Sequence, residues 1–302
     1  MAKILYCGDC AVQTGFGRVA ESLLPKLAEK HEVVVLAVNY WGDPHDLPFR
    51  LYPANVGGSD PFGSHRIGEI IQKEQPDLVL AVNDIWILNN LWRVAKPLKE
   101  RVGFKWYGYF PTDSYGFFPD VFDECRQWDG MGTYTQFGLK EVQKAGCEEP
   151  CDVVPHGIDR DLFFKVDKLE ARAQLNVDPD HFIVFNGNRN QPRKRIDLTI
   201  KGFIQFAKDK PDARLWLHMG KKDQGWDIVP LFQRVARDMD YDPTGKLILT
   251  NKDFDVTNCL PVDRLNLVYN AVDVGVNTCL GEGWGLVNFE HAATGVAQVV
   301  PD

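Results

Sequence analysis

Two glutamates stand eight positions apart in the run Gly281-Glu282-Gly283-Trp284-Gly285-Leu286-Val287-Asn288-Phe289-Glu290. Glycines between a strand and a helix let the backbone come close to a ligand and aim free N–H groups at it. Glu282 then sits on the turn and Glu290 about two helical turns into the helix. A second run, Phe185-Asn186-Gly187-Asn188-Arg189-Asn190-Gln191-Pro192-Arg193-Lys194-Arg195, holds four cations in seven residues of a chain whose net charge is −8. Arginine grips a diphosphate through two parallel hydrogen bonds, and lysine adds a compact charge. The alternative is a solvated basic face, but Gly187 and Pro192 give the loop a shape. Phosphate donors beside two carboxylate acceptors for hydroxyls read as a site for a sugar carried on a nucleotide diphosphate.

Two more segments follow predicted strands. Thr14-Gly15-Phe16-Gly17-Arg18 sets Gly15 and Gly17 at a helix start, either as an anion nest or as a plain turn of the chain. In Tyr109-Phe110-Pro111-Thr112-Asp113-Ser114, Asp113 either orients a sugar hydroxyl or caps the segment after it.

The elements that must position these residues alternate along the chain. Strands are predicted at 3–7, 32–38, 77–82, 104–110 and 130–135, with helices at 17–29, 64–75, 85–100 and 137–145 between them. The run Val33-Val34-Val35-Leu36-Ala37-Val38 is continuous rather than alternating, as in a strand buried on both faces. After a charged stretch at 160–180 with a short helix at 168–175, the alternation restarts. Strands then fall at 182–185, 214–218, 246–250, 273–277 and 297–300, with helices at 196–208, 228–239, 262–271 and 285–294. Strand-then-helix repetition implies parallel sheets covered on both sides. The predicted fold is α/β, with two Rossmann-like, doubly wound domains at 1–160 and 161–302. Such folds bind ligands beyond the carboxyl ends of the strands, so the expected site is a cleft that the two domains face.

A net charge of −8 argues against a protein devoted to nucleic acid or anionic lipid. No apolar run reaches the roughly 18 residues of a membrane span, and Met1-Ala2-Lys3-Ile4-Leu5-Tyr6 is too soon interrupted to be a signal peptide, so a cytoplasmic location is expected. Seven cysteines do not make a disulfide framework, and Cys7-Gly8-Asp9-Cys10 has no second CxxC, so free thiols at a strand end are expected. No His/Cys/Asp/Glu set has metal-ligand spacing, and Gly-x-Ser-x-Gly and Walker sequences are absent. Of the histidines, His218 reads as a core group and His291 as facing away from Glu290.

With these segments in place, the chain resembles the retaining, nucleotide-sugar-dependent glycosyltransferases of family four, which have the GT-B fold. The resemblance spans nearly the whole sequence. Its carriers are the glycine turn at 15–27, the joining motif Val154-Pro155-His156-Gly157-Ile158-Asp159, the basic loop and the Glu-x7-Glu segment. It implies that Arg189 and Lys194 grip the donor diphosphate and offset charge on the leaving group. It also implies that Glu282 stands near the transferred sugar and that Glu290 binds the ribose hydroxyls. The backbone of Gly283, Trp284, Gly285, Leu286 and Val287 would lie against diphosphate and sugar, with Gly15 and Gly17 near the phosphates and acceptor. Thr112 occupies a position where many relatives carry histidine, so Asp113 is the stand-in for the first domain's contact to the sugar. His156 stands where asparagine is commoner. The resemblance further implies retention of configuration, no metal and no cofactor apart from the nucleotide-sugar donor. The acceptor hydroxyl would belong to a carbohydrate, a lipid-linked molecule or a protein, and nucleic acid is disfavoured by charge. No residue selects the base. Relatives continue past the position of Asp302, so the second domain is expected to be incomplete and the activity to belong to a longer polypeptide. Two other readings stay open: a nucleotide-sugar epimerase or hydrolase on the same scaffold, and a non-catalytic nucleotide- or glycan-binding module.

Overall fold

A computed structural model describes residues 1–250 and 260–301. In it the valine-rich run feeds two cores at once. Val34, Leu36 and Val38 enter one, and Val33, Val35 and Ala37 the other, because successive side chains of a strand point to opposite faces. Contacts divide the chain into a first unit, Met1–His156 with Glu282–Trp284, and a second, Gly157–Gly281 with Gly285–Asp302.

The first unit runs β1 (Lys3–Asp9), α1 (Gly15–Ala28), β2 (Glu32–Val38), β3 (Arg50–Pro53), α2 (Ser64–Glu74), β4 (Leu78–Val82), α3 (Ile85–Ala95), α4 (Lys99–Val102), β5 (Lys105–Phe110), β6 (Gly130–Thr133), α5 (Gln136–Lys144) and β7 (Cys151–Val153). Its strands form one parallel sheet in the order β3-β2-β1-β4-β5-β6-β7. On one face Ile70, Leu88, Trp92 and Val142 of α2, α3 and α5 pack with Trp106 and Phe110. On the other, Ala20 and Leu24 of α1 pack with Tyr6 and Val35.

The second unit continues with α6 (Lys168–Leu175), β8 (Phe182–Asn186), α7 (Ile196–Ala207), β9 (Ala213–Leu217), α8 (Ile228–Asp238), β10 (Leu247–Leu249), α9 (Val262–Ala271), β11 (Val274–Val276), α10 (Leu286–Ala293) and β12 (Ala297–Val299). Its parallel sheet has the order β10-β9-β8-β11-β12. Two doubly wound parallel sheets are what the alternation predicts. Two details differ. The short strands β3 and β7 extend the first sheet at its two edges. The helix predicted over 85–100 is broken near Pro97, where the 3₁₀ turn Lys96–Leu98 separates α3 from α4. Proline brings no N–H to an α-helix and crowds the preceding turn.

Among the described residues, no helix is long and apolar enough to cross a membrane. The six cysteines among them are free, and Cys259 lies outside. Cys7 and Cys10 are buried, and burial pushes the Cys10 thiol up to about 12. A thiol so far from ionisation is a poor redox group.

Asp273, just before β11, holds the second unit's layers together. It accepts hydrogen bonds from Lys168 Nζ at 2.8 Å, Arg172 Nη2 at 2.7 Å and the Ile183 amide at 2.7 Å. Arg172 is 2 % exposed and also donates to the carbonyls of Ala271 and Pro179. Burial alone would raise the Asp273 carboxyl. The Lys168 and Ile183 hydrogen bonds and the Arg172 charge outweigh it and hold the group below its ordinary value. A depressed carboxyl stabilises the fold fully above its unfolded value of about 3.9, and that contribution is lost as pH falls through the folded value. Asp273→Asn should therefore cost about 3 kcal/mol at pH 7, the lower end for breaking a buried pair. In urea unfolding from pH 7 to 3, the gap between wild type and variant should narrow only below about pH 4. A gap constant across that range would show that the ion pair is not what Asp273 contributes.

Candidate functional site

In the second sheet the chain starts at β8, moves outward to β9 and β10, then returns to place β11 on the other side of β8. Loops leaving neighbouring strands at such a reversal diverge and leave a crevice at their carboxyl ends. Here they are the basic loop after β8 and the turn after β11, and both are tied down. The Leu280 amide donates to the Arg193 carbonyl at 2.9 Å, and the Arg193 guanidinium donates to the Gly281 carbonyl. Asn186 donates to the Thr199 hydroxyl at 2.9 Å, and Thr199 lies 2.7 Å from the Thr278 hydroxyl. Thr278 reaches the carbonyls of Lys194 and Arg195 at 3.0 and 2.8 Å. Each hydroxyl accepts one proton and passes one on, so the series runs in one direction from strand to loop. Gly187 lies so near Val287 that a Cβ on the glycine would meet its Cγ1 at 3.4 Å.

The loop itself is shaped by asparagines at alternate positions. Asn186 Oδ1 accepts the Asn188 amide at 2.9 Å. Asn190, fully buried, donates to the carbonyls of Gly220 and Trp226 at 3.0 and 2.7 Å and accepts the Trp226 amide at 3.0 Å. Burying Asn190 turns its neighbour Arg189 outward. That side chain is 54 % exposed and forms an ion pair with Asp223 at 2.7 Å. Lys194 is buried, with 8 % exposure.

On the other side of the crevice, Gly285 takes φ +84° and starts α10, whose first residues are Leu286 and Val287. That left-handed conformation suits glycine. Glu290 is 6 % exposed and accepts the Tyr269 hydroxyl at 3.3 Å. Tyr269 is fixed in turn by His291, whose ring stacks on it at 4.8 Å and whose Nε2 lies 3.1 Å from its carbonyl oxygen. Burial lowers His291 to about 4, so a neutral ring donates that bond. Gly187, Arg189, Lys194, Gly285, Leu286, Val287 and Glu290 all belong to the second unit.

Glu282, Gly283 and Trp284 belong by their contacts to the first unit, with Gly15, Gly17 and Asp113. There the Trp284 ring meets His156 edge-on at 5.7 Å, and Gly283 rests on Pro111, two residues before the half-buried Asp113. His156 also packs on Tyr109 and Tyr134, and burial holds it at about 4. Its ring is therefore uncharged at neutral pH. Gly15 opens α1 and is exposed. The Gly17 amide is taken by the Thr14 hydroxyl at 3.0 Å, and a Cβ at Gly17 would collide with the Val12 carbonyl. Gly17 therefore serves close packing and capping of α1. Thr14 donates to Asp9 at 2.5 Å, and Asn39 to the same carboxylate at 3.2 Å. Sequence reasoning missed Asp9, Asn190, Asp223, Tyr269 and Thr278. Only the alternate asparagines at 186, 188 and 190 were a visible signal. Among the described residues, no group of three or more His, Cys, Asp or Glu could hold a metal ion.

No protein-family model matches the chain. Over 168 residues, 56 % of this chain, it is 29 % identical to the D-inositol 3-phosphate glycosyltransferase of Segniliparus rotundus. It spans 34 % of that relative's length. Among solved structures it is similar to the sucrose-phosphate synthase of Thermosynechococcus elongatus, with TM-score 0.74 and 17 % identity, covering 99 % of this chain and 81 % of that one. It is likewise similar to Anabaena HepE in complex with UDP and glucose, with TM-score 0.72 and 16 % identity over 99 % and 80 % of the two chains. At such identities the likeness is one of fold, and the α/β architecture with two parallel sheets is that of these GT-B structures.

Proposed function

We propose that this protein is a glycosyltransferase that moves a sugar from a nucleotide diphosphate to an acceptor hydroxyl with retention of configuration. One observation carries the reading: at the β8/β11 reversal, hydrogen bonds join the basic loop to the turn that leads into α10. In the reaction, the bond from the sugar's anomeric carbon to the diphosphate oxygen breaks, a bond to the acceptor oxygen forms, and the acceptor's hydroxyl proton passes to the departing diphosphate. Negative charge grows on the departing diphosphate, and offsetting it is the main task of such a site. Arg189, Lys194 and the first amides of α10 supply that charge from the second unit. Glu290, held by Tyr269, accepts the ribose hydroxyls. Glu282 and Asp113 are assigned to the transferred sugar, and no metal takes part in the reading. Further support comes from the name of the 29 %-identical relative and from the UDP and glucose in the HepE structure. The acceptor belongs to the carbohydrate, lipid-linked or protein classes.

Calorimetric titration with UDP, GDP and ADP, then an assay for sugar transfer from the matching nucleotide sugar, tests the proposal. Binding of none of the three would end it. Lys194→Ala should weaken the preferred nucleoside diphosphate at least about tenfold, or about 1.4 kcal/mol, and leave the nucleoside unchanged. Equal losses for both ligands would place Lys194 away from the phosphates. Glu290→Gln should weaken the nucleotide about three- to tenfold, the difference between a charged and a neutral hydrogen bond, while pyrophosphate affinity stays level. A loss for pyrophosphate instead would reassign the carboxylate.

A further inference from the structure

Arg189 does not project freely from its loop. Its Nε lies 2.7 Å from Asp223 Oδ2 and its Nη2 3.3 Å from Oδ1, so the carboxylate takes one edge of the guanidinium in a forked pair. The outer edge, formed by Nη1 and the second Nη2 proton, is left for another forked acceptor. The pair is exposed, at 54 % and 21 %, and an exposed pair of this kind adds at most about 1 kcal/mol to stability. Its value lies in orientation, because arginine carries about 2 kcal/mol of rotamer entropy.

The fold itself holds Asp223 in place. The loop that bears it, after β9, is fastened at both ends to Asn190, the residue next to Arg189. Asn190 bonds the Gly220 and Trp226 carbonyls and the Trp226 amide, its own carbonyl accepts the Gly225 amide at 3.0 Å, and Gly225 has no room for a Cβ against it. The Arg189 bond holds the Asp223 carboxyl below its ordinary range, so it stays charged at neutral pH.

We infer that Asp223 is a positioning residue that aims the open edge of Arg189 at the donor diphosphate. The inference rests on the diphosphate-binding reading of the basic loop. Simple charge and positioning predict opposite signs for removing this acid. A carboxylate near an anion site repels the anion, so charge alone makes Asp223→Asn bind phosphates more tightly. Positioning makes it bind them more weakly, since the arginine is released to many rotamers.

The test is calorimetric titration of inorganic pyrophosphate, which does not depend on the base, into wild type, Asp223→Asn, Asp223→Glu, Arg189→Ala and the Asp223→Asn/Arg189→Ala double variant. Thermal unfolding serves as the control for folding. Arg189→Ala should lose about tenfold or more and Asp223→Asn about three- to tenfold, as befits a lost charge-assisted pair. Asp223→Glu should recover most of the loss, and the double variant should match Arg189→Ala alone. Unchanged or tighter binding by Asp223→Asn, with Arg189→Ala still impaired, overturns the positioning role and leaves the diphosphate reading standing. If Arg189→Ala binds pyrophosphate as wild type does, the arginine's part in that reading fails, and the inference with it.

Discussion

Strands β8 and β11 lie side by side and point the same way, and the candidate donor site depends on that adjacency. Parallel neighbours deliver their following loops to the same edge of the sheet. The basic loop and the turn before α10 are therefore brought together by topology, before any side chain is chosen. Backbone and small polar groups then lock them: the Leu280 amide on the Arg193 carbonyl, and the line from Asn186 through Thr199 to Thr278.

Within this arrangement holding and charging are done by different residues. Asn186, Asn190, Thr199 and Tyr269 are buried, uncharged and hydrogen-bonded to named partners. Such groups fix geometry without the desolvation cost of a buried charge. Histidine adds no charge here. His156, His218 and His291 are each lowered to about 4 by burial. The positive charge in the basic loop comes from arginine and lysine, whose ordinary ionisation lies far above neutrality.

The sequence was most legible where one residue's environment follows from its near neighbours. The run 33–38 reads as a strand buried on both faces because every residue in it is apolar, and each one lands in a core. The predicted bounds of the helix at 168–175 match α6 because Asp167 caps it and Asn176 takes the left-handed conformation that ends it. The strands β3 and β7 escaped because four and three residues at a sheet edge carry too short a pattern to separate from loop. Within the site, the types of Arg189, Lys194 and Glu290 could be read, but their partners could not. Asp223 is one acid among many until the fold sets it against Arg189, 34 residues earlier. Gly17 reads equally as an anion donor or as a plain turn of the chain, and only the fold shows its amide given to Thr14, three residues before it.

The bond from the Ile183 amide to Asp273 spans 90 residues. Closing a loop of that length costs chain entropy before any contact repays it, so proteins rich in such contacts fold slowly. The central strand of this sheet, β8, thus waits for one of its two neighbours until the chain has been made out to β11. The crevice at their ends cannot form before β11 is present, and a chain lacking β11 would carry the basic loop without its facing wall.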